Sequence, residues 1–193
     1  MLKNILIKTA ELVNRDDIIH TLKKVTSIEE ITNETVMTDI LKMISYCNYT
    51  FNDLFENYIY LNKNEEVVSD ENNRIYYSNL SSTPTKILSV KTSSNLNTLF
   101  SVNSTFISTN APNQSFIINY NYIPNEIKNF NDTIELPYSL NIKIVCYGIA
   151  SEFLASKDQY DKSDFWKNRY LYEIFKLKIK KDRRIKSTFN KWN

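Results

Sequence analysis

The chain has 193 residues, 24 basic and 22 acidic, with 42% hydrophobic and 13% aromatic content and a net charge of +2. That size and apolarity suit a single folded domain and exclude a disordered or staple-dependent chain. One glycine, Gly148, stands against 25 asparagines, which excludes a phosphate-cradling P-loop and a dinucleotide fingerprint, since both need several glycines.

Leu2, Ile5, Leu6, Ala10 and Val13 recur at helical spacing and predict a short amphipathic helix. Asp16 or Asp17 can cap a second helix with Ile18, Ile19, Leu22 and Val25 on one face. Asn33 can cap a third, in which Val36, Ile40, Met43, Ile44, Cys47, Phe51, Leu54 and Tyr58 follow three- and four-residue steps to about residue 60. Helices are therefore expected over 3–60.

The period then changes to two. "EEVVS", a "DENN" turn and "RIYYS" read as a hairpin, and "TKILSVKTS" alternates with Ile87, Ser89 and Lys91 opposite Lys86, Leu88 and Val90. "TLFSV" and "STFIS" are weaker strands, with "SSNLNT" and "TNAPNQ" as turns. In "SFIINYNYI" the residues Phe116, Ile118, Tyr120 and Tyr122 share one face, and Pro124 ends the strand because proline cannot donate to a ladder. These segments predict a small antiparallel sheet inserted over 65–123.

Helix returns at Pro137, a residue suited to a first helical turn, and is expected over 138–182. Leu140, Ile144, Tyr147, Ile149 and Leu154 line it, and Gly148 with Ala150 offers a surface for close packing by another backbone. A mid-helix glycine costs about 1 kcal/mol relative to alanine, so keeping the only one there needs such a reason. After the polar "ASKDQYDKSD", the residues Phe165, Trp166, Tyr170, Ile174 and Leu177 predict a final helix. The fold class is α+β: mainly a helical bundle with a small inserted antiparallel sheet, one domain over 1–182, and a basic C-terminal arm over 183–193.

Candidate chemistry is sparse. Cys47 and Cys146 fall in apolar helical patterns and read as small core residues of a reducing compartment rather than a disulfide or metal site. His20 is the only histidine, so no nucleophile–histidine pair is spelled out. Asp16/Asp17, Glu29/Glu30 and Glu65/Glu66 are sequence neighbours that point apart. No catalytic residue, cofactor or metal is expected. Met1–Val13 does not read as a signal peptide, and no stretch has the length of a membrane span, so the Asn-x-Ser/Thr triplets at Asn48, Asn79, Asn103, Asn113 and Asn131 carry little weight.

The charge pattern says more. From Lys176 to Asn193 there are eight basic residues and one acid, a net +7, leaving −5 on residues 1–175. Such an arm is either a solvated chain end or a segment that docks on an acidic partner or near nucleic-acid phosphates. Phe189 and Trp192 favour docking on protein, because terminal aromatics serve as anchors.

The order of parts, together with "INYNYIP" (Ile118–Pro124), "NDTIELPYSL" (Asn131–Leu140), "YGIASEFLAS" (Tyr147–Ser156) and "DFWKNRYLYEI" (Asp164–Ile174), resembles the head–tail connector (adaptor) proteins of tailed bacteriophages. The resemblance implies a ring, usually of twelve subunits, that joins the portal vertex of the capsid to the tail and lines the DNA exit channel. It implies portal and tail proteins, other copies of the chain and passing DNA as partners. It also implies a place at the head–tail junction of a virion assembled in the host cytoplasm. Lys180, Lys181, Arg183, Arg184, Lys186, Phe189 and Trp192 would form the portal-docking arm, and Asn125–Glu135 the return loop. The alternative is a small non-enzymatic DNA-associated or regulatory protein that uses the same tail.

Overall fold

The computed structural model describes residues 1–137 and 140–189, with side chains through Leu177. In chain order it has α1 (Leu2–Leu12), α2 (Asp16–Lys24) and α3 (Glu34–Asn57), then β1 (Leu61–Val68), β2 (Arg74–Tyr76), β3 (Pro84–Thr92), β4 (Ser101–Val102), β5 (Phe106–Ser108) and β6 (Ser115–Tyr122), and finally α4 (Ile142–Ala155) and α5 (Tyr160–Phe189). The architecture is mixed α+β. Met1–Leu54 with Glu126–Asn193 forms one compact unit and Phe55–Asn125 a second. No described helix is long and apolar enough to cross a membrane.

In the helical unit, α1 buries Leu2, Ile5, Leu6 and Ala10 and lies against α2 and α4. The cap expected from Asp16 or Asp17 is displaced: both acids sit in the first turn of α2, and Arg15 holds the N-cap position without a side-chain cap bond. Acids there still suit the positive end of the helix. Asn33 does cap α3, its Oδ1 accepting from Val36 N at 3.1 Å. Behind it Val36, Ile40, Met43, Ile44, Cys47, Phe51 and Leu54 are buried as their spacing predicts, and the helix ends at Asn57 rather than near 60.

The polar return loop is pinned to α3. Asn48 donates from Nδ2 to the Ile127 carbonyl (2.8 Å) and accepts at Oδ1 from Ile127 N (2.9 Å), while Ile127 and Phe130 are buried. One side-chain amide thus satisfies both backbone groups of a residue outside regular structure, the pairing that a buried loop requires. The expected helix start at 138 falls outside the described residues, and Pro137 is not in the first turn. α4 begins at Ile142, where Asn141 Oδ1 accepts from Lys143 N at 3.0 Å. Asparagine outcompetes proline because it supplies an acceptor to an orphan N–H. Ile144, Val145, Cys146, Ile149, Ala150, Phe153 and Leu154 bury α4 on nearly all sides, the pattern of a central helix.

The β unit corrects two expectations. It holds two three-stranded sheets, ordered β1-β6-β3 and β2-β5-β4, in place of one. "EEVVS" and "RIYYS" do not pair as a hairpin: β1 pairs with β6 from Leu61↔Tyr122 to Val68↔Ser115, and β2 pairs with β5. The turn between them is real, with Asp70 Oδ1 accepting from the Asn72 and Arg74 N–H groups. Non-local pairing wins because β6 offers an apolar face to both neighbours.

The alternation in β3 is also broken. Ile87 pairs with Tyr120, Ser89 with Asn119 and Val90 with Ile118, so Leu88 is an extra residue in a β-bulge. A bulge reverses the side-chain parity beyond it. Ile87 and Val90 therefore share the core face with Ile75, Ile107, Phe116, Ile118 and Tyr120, and Leu88 is 43% exposed. Asn73, Asn95 and Asn113 take the left-handed conformation in the turns (φ 62°, 66° and 51°). They fill the role that glycine usually takes.

Candidate functional site

The last helix is the candidate site, and α4 positions it. After Ala155 the chain turns through Asp158, at φ 58°, and Gln159 N bonds back to the Leu154 carbonyl at 3.0 Å. That turn sends α5 back along α4. Gly148 allows the approach. A β-carbon on it would stand 2.6 Å from Thr50 Cγ2, 2.9 Å from Thr50 Oγ1 and 3.3 Å from Tyr170 Cε2. The close neighbour is thus side chain rather than the expected backbone. Ala150 is fully buried.

The inner face of α5 is held by Tyr170 and Ile174, both buried. Tyr170 Oη donates to Asp53 Oδ2 at 2.6 Å, Ser151 and Ser163 hydroxyls meet at 3.3 Å, and Trp166 stacks on Tyr147 with ring centres 5.3 Å apart. Phe165, expected on this face, is 51% exposed. Ser163, Trp166, Tyr170 and Ile174 share the three- and four-residue rows, which puts Phe165 on the far side.

That far side is unusually apolar. Phe165, Tyr172 and Phe175 are 51%, 56% and 59% exposed, where large aromatics are normally covered. Cations lie over two of the rings: the Arg169 guanidinium is 5.4 Å from the Phe165 centre and the Lys176 ammonium 4.2 Å from that of Tyr172. A shallow cleft of about 320 Å³ runs along Phe165, Asn168, Arg169 and Tyr172. Of the arm residues, Lys180, Lys181, Arg183, Arg184, Lys186 and Phe189 fall where only helical backbone is described, and Trp192 lies outside the described residues.

The helical unit is also clasped by a buried carboxylate that no motif in the sequence marks. Asp39 is 2% exposed and takes Arg15 Nη1 at 2.5 Å and Lys157 Nζ at 2.7 Å. Burial works to raise its pKa, but the hydrogen bonds and charges of Lys157 and Arg15 win and hold it below the usual carboxylate value. The group ties the start of α2, the first half of α3 and the end of α4. Its role is structural, since both oxygens are engaged.

A second network lies inside the β unit. Glu65 accepts from Ser81 N (3.0 Å), the Ser81 hydroxyl and Tyr120 Oη (2.7 Å), with Lys63 Nζ at 3.3 Å. Burial opposes its ionisation, yet these donors together bring its pKa down to about 2. Burial and the Glu65 charge push Tyr120 up to about 12. Cys47 and Cys146 are buried free thiols, and burial pushes Cys47 up to about 12. His20 is exposed on α2. Among the described residues no group of three or more His, Cys, Asp and Glu side chains could hold a metal ion.

A scan of protein-family models finds none that matches the chain, and a search of curated proteins finds no match.

Proposed function

We propose that this chain is a non-enzymatic structural subunit of a ring, usually of twelve copies in such assemblies, that joins a portal vertex to a tail. In this reading the helical unit is the bundle of a head–tail connector and Phe55–Asn125 is its inserted β unit. The arm over 183–193, with Lys180 and Lys181 before it, docks on the portal, and packaged DNA passes through without sequence recognition. The protein then resides at the head–tail junction of the virion. The observation that carries the reading is the last helix: an exposed aromatic face on Phe165, Tyr172 and Phe175 leading into a segment of net charge +7. Aromatic anchors beside cations are the composition of protein-docking surfaces.

The test mixes the purified protein with the portal ring encoded in the same genome and images the mixture by electron microscopy. A second ring stacked on the portal is expected, and deletion of Arg183–Asn193 should abolish stacking while leaving the cooperative thermal unfolding of the protein in place. Bare portals beside free protein would overturn the proposal.

The same +7 segment also favours a second reading, a small DNA-associated or regulatory protein. It predicts duplex binding that weakens steeply with salt. Binding that is absent or salt-insensitive in a titration would remove it.

A further inference from the structure

The helical unit has a second uncovered face that complements the one on α5. On α3 the residues Leu41, Ser45 and Tyr49 form a four-residue row, with Leu41 43% and Tyr49 64% exposed. Glu34, also exposed, flanks the row at its N-terminal end, and Lys42 lies beside Leu41. On α5 the cations Lys162, Arg169 and Lys176 recur every seven residues, which places them along one flank of the aromatic face.

We propose that these two faces meet between copies, the outer face of α3 on one copy lying along the outer face of α5 on the next. The inference rests on the ring reading and assigns its subunit contact. Charge selects the occupant. Two α5 faces brought together would oppose Lys162 and Arg169 with their like, Lys176 being paired with Glu173 at 2.6 Å, whereas α3 brings Glu34 to them. Phosphates are a poor match for this part of α5, because between Tyr160 and Leu177 four basic residues are nearly balanced by Asp161, Asp164 and Glu173.

Geometry selects the symmetry. The two faces are different surfaces of one chain, so each copy uses α5 towards one neighbour and α3 towards the other. Such a heterologous contact closes a ring when its rotation permits. The contact is short: Phe165 to Phe175 spans about 15 Å of helix at 1.5 Å per residue, and the patch falls below the roughly 800 Å² per partner of a stable pair. A single contact is therefore weak, and the closed ring gains its strength from repetition.

The contact is read by cross-linking full-length protein with a short bismaleimide at ~1 mM, where an interface of millimolar affinity is populated. Cys47 and Cys146 are buried, so introduced cysteines report alone. Mixing Leu41→Cys protein with Tyr172→Cys protein should give a heterodimer several-fold above the Leu88→Cys plus Tyr172→Cys control, while each variant alone stays monomeric. The double variant should give a ladder. Self-linking of Tyr172→Cys, or a mixture no better than control, overturns the contact. A ladder without portal stacking would defeat the connector reading and leave this contact standing. Stacked rings without the heterodimer would do the reverse.

Discussion

Thr50 occupies the space that a side chain on Gly148 would need, its Cγ2 lying 2.6 Å from the β-carbon position. Thr50 cannot swing away freely, because its hydroxyl bonds the Tyr46 carbonyl at 2.8 Å and it is itself buried. Gly148→Ala should destabilise the protein by about 1–3 kcal/mol through overpacking, despite the better helix propensity of alanine. Adding Thr50→Ala should restore most of the loss. Urea unfolding of the two single variants and the double variant measures the coupling, and additive losses would show that the clash is not the cause.

Neutralising Asp39 should also destabilise the protein. Asp39→Asn leaves Lys157 and Arg15 facing a neutral amide; both cations reach solvent and Arg15 keeps its pair with Asp17, so a loss of about 1–3 kcal/mol is expected. Its pKa is lowered from 3.8 in the unfolded chain. Its contribution is thus complete above about pH 4 and fades as pH falls below that. A thermal melt at neutral pH should show a clear drop for the variant, and the difference should narrow under acid.

Glu65 provides a parallel test in the β unit. Its hydrogen-bond donors bring its carboxyl from the ordinary 4.5 down to about 2 in the folded protein. The lowered value means stability that is present above pH 4.5 and lost as pH falls through 2, about 1–3 kcal/mol once screening by solvent is allowed for. Glu65→Gln should flatten the acid limb of the stability curve between those limits. An unchanged limb would mean that Ser81 and Tyr120 do not hold the carboxylate in solution. Tyr120→Phe, which removes one donor, should move the limb part of the way.

What could be read from the sequence was local. The three- and four-residue spacing of Val36 to Leu54 and the alternation of Phe116, Ile118 and Tyr120 placed α3 and β6, because burial of one face leaves a periodic trace. Asn33 announced its own cap. The Asp39 group left no trace, since Arg15 and Lys157 lie 24 and 118 residues away from it in sequence. The partner of β1 was hidden for the same reason. Leu88 departs from the pattern because alternation holds only along an unbroken ladder, and Phe165 departs from it because helical spacing alone does not tell a covered aromatic from an uncovered one. Exposure of apolar residues on α5 is a property of the assembled unit, not of the pattern.

The asparagines in the turns bear on the unfolded chain more than on the folded one. Glycine would enter the left-handed region without strain, but it would also widen the unfolded ensemble, an entropic cost of about 0.4–1 kcal/mol per site relative to a residue with a side chain. Asparagine carries a modest local strain at Asn73, Asn95 and Asn113 and leaves a stiffer unfolded chain, so the two effects nearly cancel. A protein with one glycine can therefore make its tight turns at little net loss. The one glycine it keeps, Gly148, has a negative φ: it is selected for the volume it leaves to Thr50, not for freedom of the backbone.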